Sequence, residues 1–294
     1  MAAQTFPFQI GSIDACVLND GEFQYDQPAD LFFGHAPSKQ SLSMALNQQG
    51  IKLSDWDHMD SSFCCLYLKM GRERILIDPG AGKMGANTGQ LLSALETQGV
   101  KPEDIDTIII THCHPDHIGG ILNEKGELTF PNAKYIMWKA EWDFWTHEPD
   151  LSHQPIPADM QAAMISSAQQ ICEAIREKTE LIRREFELRP GMRVISIPGH
   201  TPGMIALNIS SDGQQFMYLA DAVFHPTQIE HPDWSGQVDL DPKKAAASRN
   251  QILKRASNSR SQVLCYHFPF PGLGTIENTG GAYHFKAVAA GRRA

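Results

Sequence analysis

Residues 112–117 read His-Cys-His-Pro-Asp-His: three imidazoles and a carboxylate in six positions, directly behind the apolar run Ile108-Ile109-Ile110. In an extended chain, positions i and i+2 project to the same side. His112 and His114 therefore share a face, and Cys113 points away from it. Pro115 disfavours the helical conformation at His114 and keeps the segment extended there. Asp116 and His117 then begin a turn into Ile118-Gly119-Gly120. Two histidines on one side and an Asp-His pair around the bend can face two neighbouring metal ions. Imidazole nitrogen and carboxylate oxygen suit zinc, and also manganese, iron, cobalt or nickel. A polar strand end that merely meets water would account for one histidine, not for this cluster.

Three more side chains of the same kind follow apolar runs. His200 comes after VISIP, between Gly199 and Gly203, which permit close backbone approach. Asp221 closes FMYLAD and His267 closes VLCYH. Strand ends in layered α/β proteins converge on one edge, so four strands would deliver ligand-type groups to one place. Cys113 is assigned to packing, because it projects away from the histidines. Aromatic residues crowd the same motifs. Phe224 follows Asp221 closely, and Phe268 and Phe270 flank His267, so these three are read as the apolar wall of a substrate pocket. For His225 two readings stay open, a hydrogen bond to a substrate or metal ligand, or a solvated loop position. His35, His58, His147, His153, His231 and His284 carry no motif support.

The elements that must position these groups are legible in outline. FQIGSIDACVLNDG reads as strand, turn and strand, and residues 22–59 read as a loop-rich stretch. SSFCCLYLKMGRERILIDPG is a hairpin with Gly71 at the bend. TGQLLSALETQG has helical apolar spacing and a glycine stop. DIDTIIIT and AKYIMW are strands, KAEWDFWTH is a short helix, and residues 158–186 are helical in character. RVISIP, MIALNIS and QQFMYLA are successive strands. A helix follows, with Asp241 as its cap and Pro242 at its first position, and QVLCYH is the last core strand. Helices covering sheets in one layered α/β domain, residues 1–294, is the expectation.

Composition narrows the partners. The 294 residues carry a formal net charge of -9, without a strong basic run. Nucleic acid and anionic membrane are therefore poor partners. No apolar stretch approaches a membrane span, and the N-terminus lacks the pattern of a signal peptide. The six cysteines are scattered, with Cys64 and Cys65 adjacent, unlike a disulfide framework. A reduced cytoplasm is the expected location.

HCHPDH, the isolated His200 in PGHTPG, Asp221 in LAD, His267 in YHFPFPGLG and the DPG at 78–80 together resemble the metallo-β-lactamase superfamily of hydrolases, over about residues 63–285. HFPFPGLG, HPDW and the helix with Arg249 look like the branch holding methyl parathion hydrolases and N-acyl homoserine lactonases. The resemblance implies a four-layer αβ/βα sandwich, with two mixed sheets flanked by helices and two metals at one edge, most commonly zinc. It implies that His112, His114 and His200 hold one metal, that Asp116, His117 and His267 hold the other, and that Asp221 bridges them. A homodimer is a further implication.

The chemistry expected of such a centre is hydrolysis. Paired divalent ions acidify a shared water to hydroxide near neutral pH, and one of them polarises the carbonyl under attack. For Asp116 two roles stay open, ligation alone, or ligation with proton delivery to the leaving alkoxide. The expected substrate is a small apolar lactone or ester, with an N-acyl homoserine lactone first and an aryl ester or organophosphate triester next. The readings from other classes are an iron-dependent redox enzyme and a non-catalytic binding protein on the same fold.

Overall fold

The computed structural model describes residues 4–288 other than 153 and 155; His153 thus lies outside the described residues. Two seven-stranded mixed sheets form. The first runs in sequence order: β1 (Thr5–Ile10), β2 (Ile13–Asp26), β3 (His58–Met70), β4 (Glu73–Ile77), β5 (Thr107–Ile110), β6 (Lys134–Trp138) and β7 (Thr179–Ile182). It is antiparallel as far as β4 and parallel from β4 to β7. The second contains β8 (Glu187–Arg189), β9 (Met192–Ser196), β10 (Ile205–Ser211), β11 (Gln214–Tyr218), β12 (Gln262–Leu264), β13 (Leu273–Thr279) and β14 (Ala282–Ala287). Only β11 and β12 are parallel neighbours there. One continuous apolar core takes side chains from both sheets, including Val17, Leu66 and Ile109 of the first and Leu207, Phe216 and Val263 of the second. The rings of Phe8 and Phe216 meet across the interface at 5.4 Å.

Eight α-helices lie among the described residues: α1 (Pro28–Phe33), α2 (Lys39–Gln48), α3 (Leu91–Thr97), α4 (Pro115–Ile118), α5 (Lys139–Thr146), α6 (Ala158–Ile175), α7 (Pro226–Glu230) and α8 (Pro242–Ser259). The cap of α8 is as expected: the Asp241 side chain accepts from the Lys244 N–H at 3.1 Å, and Pro242 opens the helix. The αβ/βα sandwich with two mixed sheets is therefore the fold. Among the described residues, no helix is long and apolar enough to cross a membrane.

Two segments differ from the sequence expectation. Residues 22–59 are not mainly loop. A register shift between Asn19 and Glu22 lets β2 continue to Asp26, and α1 and α2 follow. Ser38 caps α2 by accepting from the Ser41 N–H. Phe32, Phe33, Leu42, Leu46 and Met59 form a satellite apolar cluster with Phe224 and Trp234. The short helices of this region gain their burial from distant partners, which local spacing does not reveal. Residues 158–186 are not one helix either. The helix ends at Ile175, and Thr179–Ile182 pairs parallel with β6 as an edge strand. Ile182 fits the helical spacing, but strand pairing decides its conformation.

Candidate metal centre

The sheets explain the convergence. Strand β9 is antiparallel to β10, β10 is antiparallel to β11, and β11 is parallel to β12. The carboxyl ends of β9, β11 and β12 therefore point the same way, and His200, Asp221 and His267 follow them. The first sheet contributes the segment after β5. His114 keeps an extended backbone (φ -67, ψ 151) and Pro115 opens α4, which carries Asp116 and His117. Cys113 points the other way, its sulfur 3.6 Å from that of Met137.

The seven residues gather in two sets, His112, His114, His200 and Asp221, and Asp116, His117, His267 and Asp221, every member buried. In the first set His112 Nε2 lies 3.1 Å from His114 Nδ1, and His200 Nε2 lies 2.9 Å from that same atom. Asp221 Oδ2 is 3.6 Å from His112 Nε2 and 3.4 Å from His200 Nε2. In the second set His117 Nε2 is 3.1 Å from Asp221 Oδ1 and 3.6 Å from Asp116 Oδ2. His267 Nε2 is 2.9 Å from Asp221 Oδ2 and 3.5 Å from Asp116 Oδ2. Donors on a tetrahedral zinc at its usual bond lengths stand about 3.3 Å apart. The spacing of both sets fits such an ion. His117 Nε2 and Asp221 Oδ1 face each other, buried and with no well-aligned hydrogen bond to either, an arrangement that a bound cation between them relieves.

Hydrogen bonds behind the imidazoles set their tautomers. Thr111 donates its hydroxyl to Asp78 Oδ2 at 2.7 Å, so its oxygen accepts from His112 Nδ1–H at 3.1 Å. His117 Nδ1 donates to Asp78 Oδ2 at 2.9 Å. Ser61 donates to the His267 carbonyl at 3.0 Å and accepts from His267 Nδ1–H at 2.9 Å. His200 Nδ1 donates to Asp239 Oδ1 at 3.2 Å. In all four rings Nδ1 carries a proton, and Nε2 faces the cluster. His114 presents Nδ1 instead, and its Nε2 has no protein partner.

The electrostatics match. Burial and the neighbouring imidazoles hold His112 and His114 well below the ordinary imidazole range. Burial pushes the Asp221 carboxyl up, but His117, His267 and His112 outweigh it and hold it well below the carboxylate range. These groups stand in the deprotonated forms a cation requires. Burial pulls His117 down, but Asp221, Asp116 and Asp78 outweigh it and raise it well above its usual value. Metal binding would therefore release its proton. Backbone strain gathers at the same edge: Asp78 and Ala220 have φ values of 55° and 47°, rare for residues with a Cβ.

Several site residues lack a local sequence signal. Glu141 on α5 is fully buried and accepts from Cys113 N (3.0 Å), Trp145 Nε1 (2.7 Å), Thr201 Oγ (2.7 Å) and Gly203 N (2.9 Å). It ties the His112–His114 segment to the His200 loop. An acid four residues before Trp145 on an apolar helical face was the available clue. Close approach makes two glycines necessary here. A Cβ on Gly199 would stand 2.1 Å from Ala245 N, and one on Gly203 would stand 2.2 Å from Glu141 N.

Of the three expected wall residues, the structure brings Phe224 to the metal edge. Its ring stacks on His267 at 4.8 Å and lies 5.3 Å from His200. Phe32 continues the stack beyond it at 4.8 Å. Phe268 is placed in the core, 2% exposed, edge-on to Phe285. Phe270 is half-buried against the core, its N–H donating to Ser62 Oγ. Neither makes a ring contact with a ligand imidazole, because the Pro269 and Pro271 segment turns away after His267. Tyr25, from the misread stretch, lies edge-on to His267 at 6.0 Å. His225 caps α7, its Nδ1 accepting from the Thr227 N–H, and stands 5.4 Å from Trp56.

Comparison with known proteins agrees with this geometry. A probable metallo-hydrolase of Methanocaldococcus jannaschii is 27% identical over 231 residues, covering 77% of this chain and 93% of that protein. AidC, a dizinc quorum-quenching lactonase solved in complex with the product N-hexanoyl-L-homoserine, superposes with a TM-score of 0.89 at 27% identity, over 99% of both chains. The hydrolase AbOPH of the beta lactamase superfamily gives 0.86 at 26% identity, over 99% of this chain and 100% of that one. The model of the metallo-beta-lactamase superfamily matches residues 65–267. The chain thus belongs to the metallo-beta-lactamase superfamily, as one of its metal-dependent hydrolases.

Proposed function

We propose that the protein is a dinuclear lactonase or esterase that opens a small apolar lactone, with an N-acyl homoserine lactone as the first choice. The observation that carries the proposal is the pair of four-donor sets sharing Asp221 beneath the Phe224 ring. Likeness to AidC over the whole chain supports the choice of substrate. In this reading His112, His114 and His200 hold one ion, Asp116, His117 and His267 hold the other, and Asp221 spans both. Two divalent ions, zinc by the N/O donor set, supply an acidified water and a Lewis acid for the carbonyl oxygen. The chain does the rest. The hydrogen bonds through Asp78, Ser61 and Asp239 orient the imidazoles. Phe224, with Phe32 packed behind it, offers an apolar surface to the acyl group and excludes water. Asp116, its side chain 10% exposed, is the carboxyl best placed to take the proton lost by the attacking water and pass it to the leaving alkoxide.

The test is a comparison of kcat/KM for zinc-loaded protein on acyl homoserine lactones, aryl esters and phosphotriesters. Lactones are expected to lead. A preference for phosphotriesters by tenfold or more would replace the lactone reading, and no turnover at full metal occupancy would remove the hydrolytic one.

A further inference from the structure

Behind His200, Asp239 is paired with a buried arginine that has no part in the chemistry proposed above. Arg249 lies on α8, 1% exposed, and its guanidinium reaches three segments. Nε donates to the Ala222 carbonyl at 2.5 Å. Nη1 donates to the carbonyls of Trp234 at 2.6 Å and Pro232 at 3.2 Å. Nη2 faces Asp239 Oδ2 at 3.4 Å. The other Asp239 oxygen accepts from His200 Nδ1–H at 3.2 Å. The two backbones are also joined: Leu240 N–H donates to the His200 carbonyl at 3.2 Å, and Asp241 N–H to that of Gly199 at 2.8 Å.

Burying a cation is expensive, and a buried pair is poor evidence of added stability. What this pair does supply is geometry. One planar, five-donor group is hydrogen-bonded next to Asp221, through the Ala222 carbonyl, and reaches His200 through Asp239. We infer that Arg249 and Asp239 are positioning residues for the metal centre, holding His200 and the Asp221 turn in register so that the His112–His114–His200–Asp221 set binds its ion tightly. Arg249 keeps Asp239 aimed, and Asp239 keeps the His200 proton on Nδ1 and the Nε2 lone pair toward the cluster. Lysine cannot replace the arginine, because a point charge cannot span the Ala222 carbonyl, the Trp234 carbonyl and Asp239 at once.

The inference rests on the two-metal reading, and the experiment separates their failures. Zinc affinity is measured for both equivalents by competition with a chromophoric chelator, in wild type, Asp239→Asn, Arg249→Lys and the double variant. Cobalt(II) absorption spectra follow each equivalent, and melting of the metal-free proteins is recorded beside them. Asp239→Asn keeps the side-chain shape, so a folded variant is expected even where Arg249→Lys melts early. One equivalent should weaken about 10- to 100-fold in both single variants, with a changed cobalt spectrum, and the other should move by less than about threefold. The double variant should lose little more than either single one, since both residues act along one path. Variants that melt earlier but bind both equivalents as wild type does would overturn the inference and leave the pair a structural staple. A wild-type protein that takes up no metal would overturn the two-metal reading itself.

Discussion

At the scale of single residues, Asp221 stands apart because it is the anion that meets four Nε2 atoms, at 3.6, 3.4, 3.1 and 2.9 Å. Without it, no carboxylate would be shared between two cations, and Asp116 would be left as the one anion of the two sets. Asp221→Ala is expected to retain at most one equivalent of metal by elemental analysis, and to lose activity by orders of magnitude as paired water activation goes. Two equivalents and near-normal turnover would exclude a bridging role. The phenylalanines make a contrasting pair. Phe224→Ala removes apolar contact worth about 2 kcal/mol from the metal edge, so kcat/KM should fall by about tenfold or more on long acyl chains and less on short ones. Phe268→Ala should instead lower unfolding stability by about 3–5 kcal/mol, with no dependence on chain length. A chain-length effect from Phe268 would contradict its placement in the core. The gathering of these seven candidate donors was legible in the sequence because residue type, an apolar run before each and the i, i+2 rule are local. The Phe224 stack was not. Adjacency to His267 suggested Phe268 and Phe270, whereas stacking on that ring depends on how β11 and β12 leave the sheet.

At the scale of elements, α5 and α7 show how short helices tie the ligand loops down. Glu141 satisfies the Cys113, Gly203, Trp145 and Thr201 donors together. Glu141→Ala orphans buried donors at about 1–3 kcal/mol each, so a loss of several kcal/mol is expected in urea denaturation, with weakened metal retention. A loss below about 1 kcal/mol would show that water or relaxation satisfies these groups. Helix α7 carries a pH dependence. Burial lowers the His225 pKa from 6.5 to about 4, and its Nδ1 accepts from the Thr227 N–H, as a neutral ring does. The folded state therefore binds this proton more weakly than the unfolded chain does. The stabilisation is complete above pH 6.5 and is lost as pH falls toward 4, at most about 3 kcal/mol in all. His225→Asn keeps an acceptor at the cap, so the stability difference from wild type should narrow as pH falls through that window. A constant difference would show that His225 does not titrate there. Among elements, the hairpin, β5, α3 and α8 were legible from apolar period, glycine stops and caps. The reach of β2 past its bulge, α1, α2 and the edge strand β7 were not, because burial by distant partners and strand pairing create them.

At the scale of the whole molecule, the donor sets straddle the two sheets. His112, His114, Asp116 and His117 follow β5 of the first sheet, and His200, Asp221 and His267 follow β9, β11 and β12 of the second. Direct bonds near the site already join the halves, among them those of Ser61 of β3 with His267 and that from the Tyr218 hydroxyl of β11 to Asp78 after β4, at 2.9 Å. Each ion would add a second kind of brace, since each set takes ligands from both sheets. This division was half visible in the sequence: four strand ends could be expected at one edge, but not which sheet owns each strand. It has a thermodynamic consequence. A ligand that binds only the folded chain stabilises it by about 2.7 kcal/mol at a free concentration one hundred times its dissociation constant, and the gain grows with the logarithm of concentration. Chelator-treated protein should therefore melt several degrees below zinc-loaded protein. Titrating zinc back should raise the midpoint steadily, beyond the point where two equivalents are bound. Replacing His200, Asp221 and His267 with alanine removes every second-sheet donor from both sets while leaving the first-sheet cluster intact, and should abolish most of that rise. If the triply substituted protein still gained its full increment from zinc, the ions would be held by the first sheet alone, and the brace between the sheets would not exist.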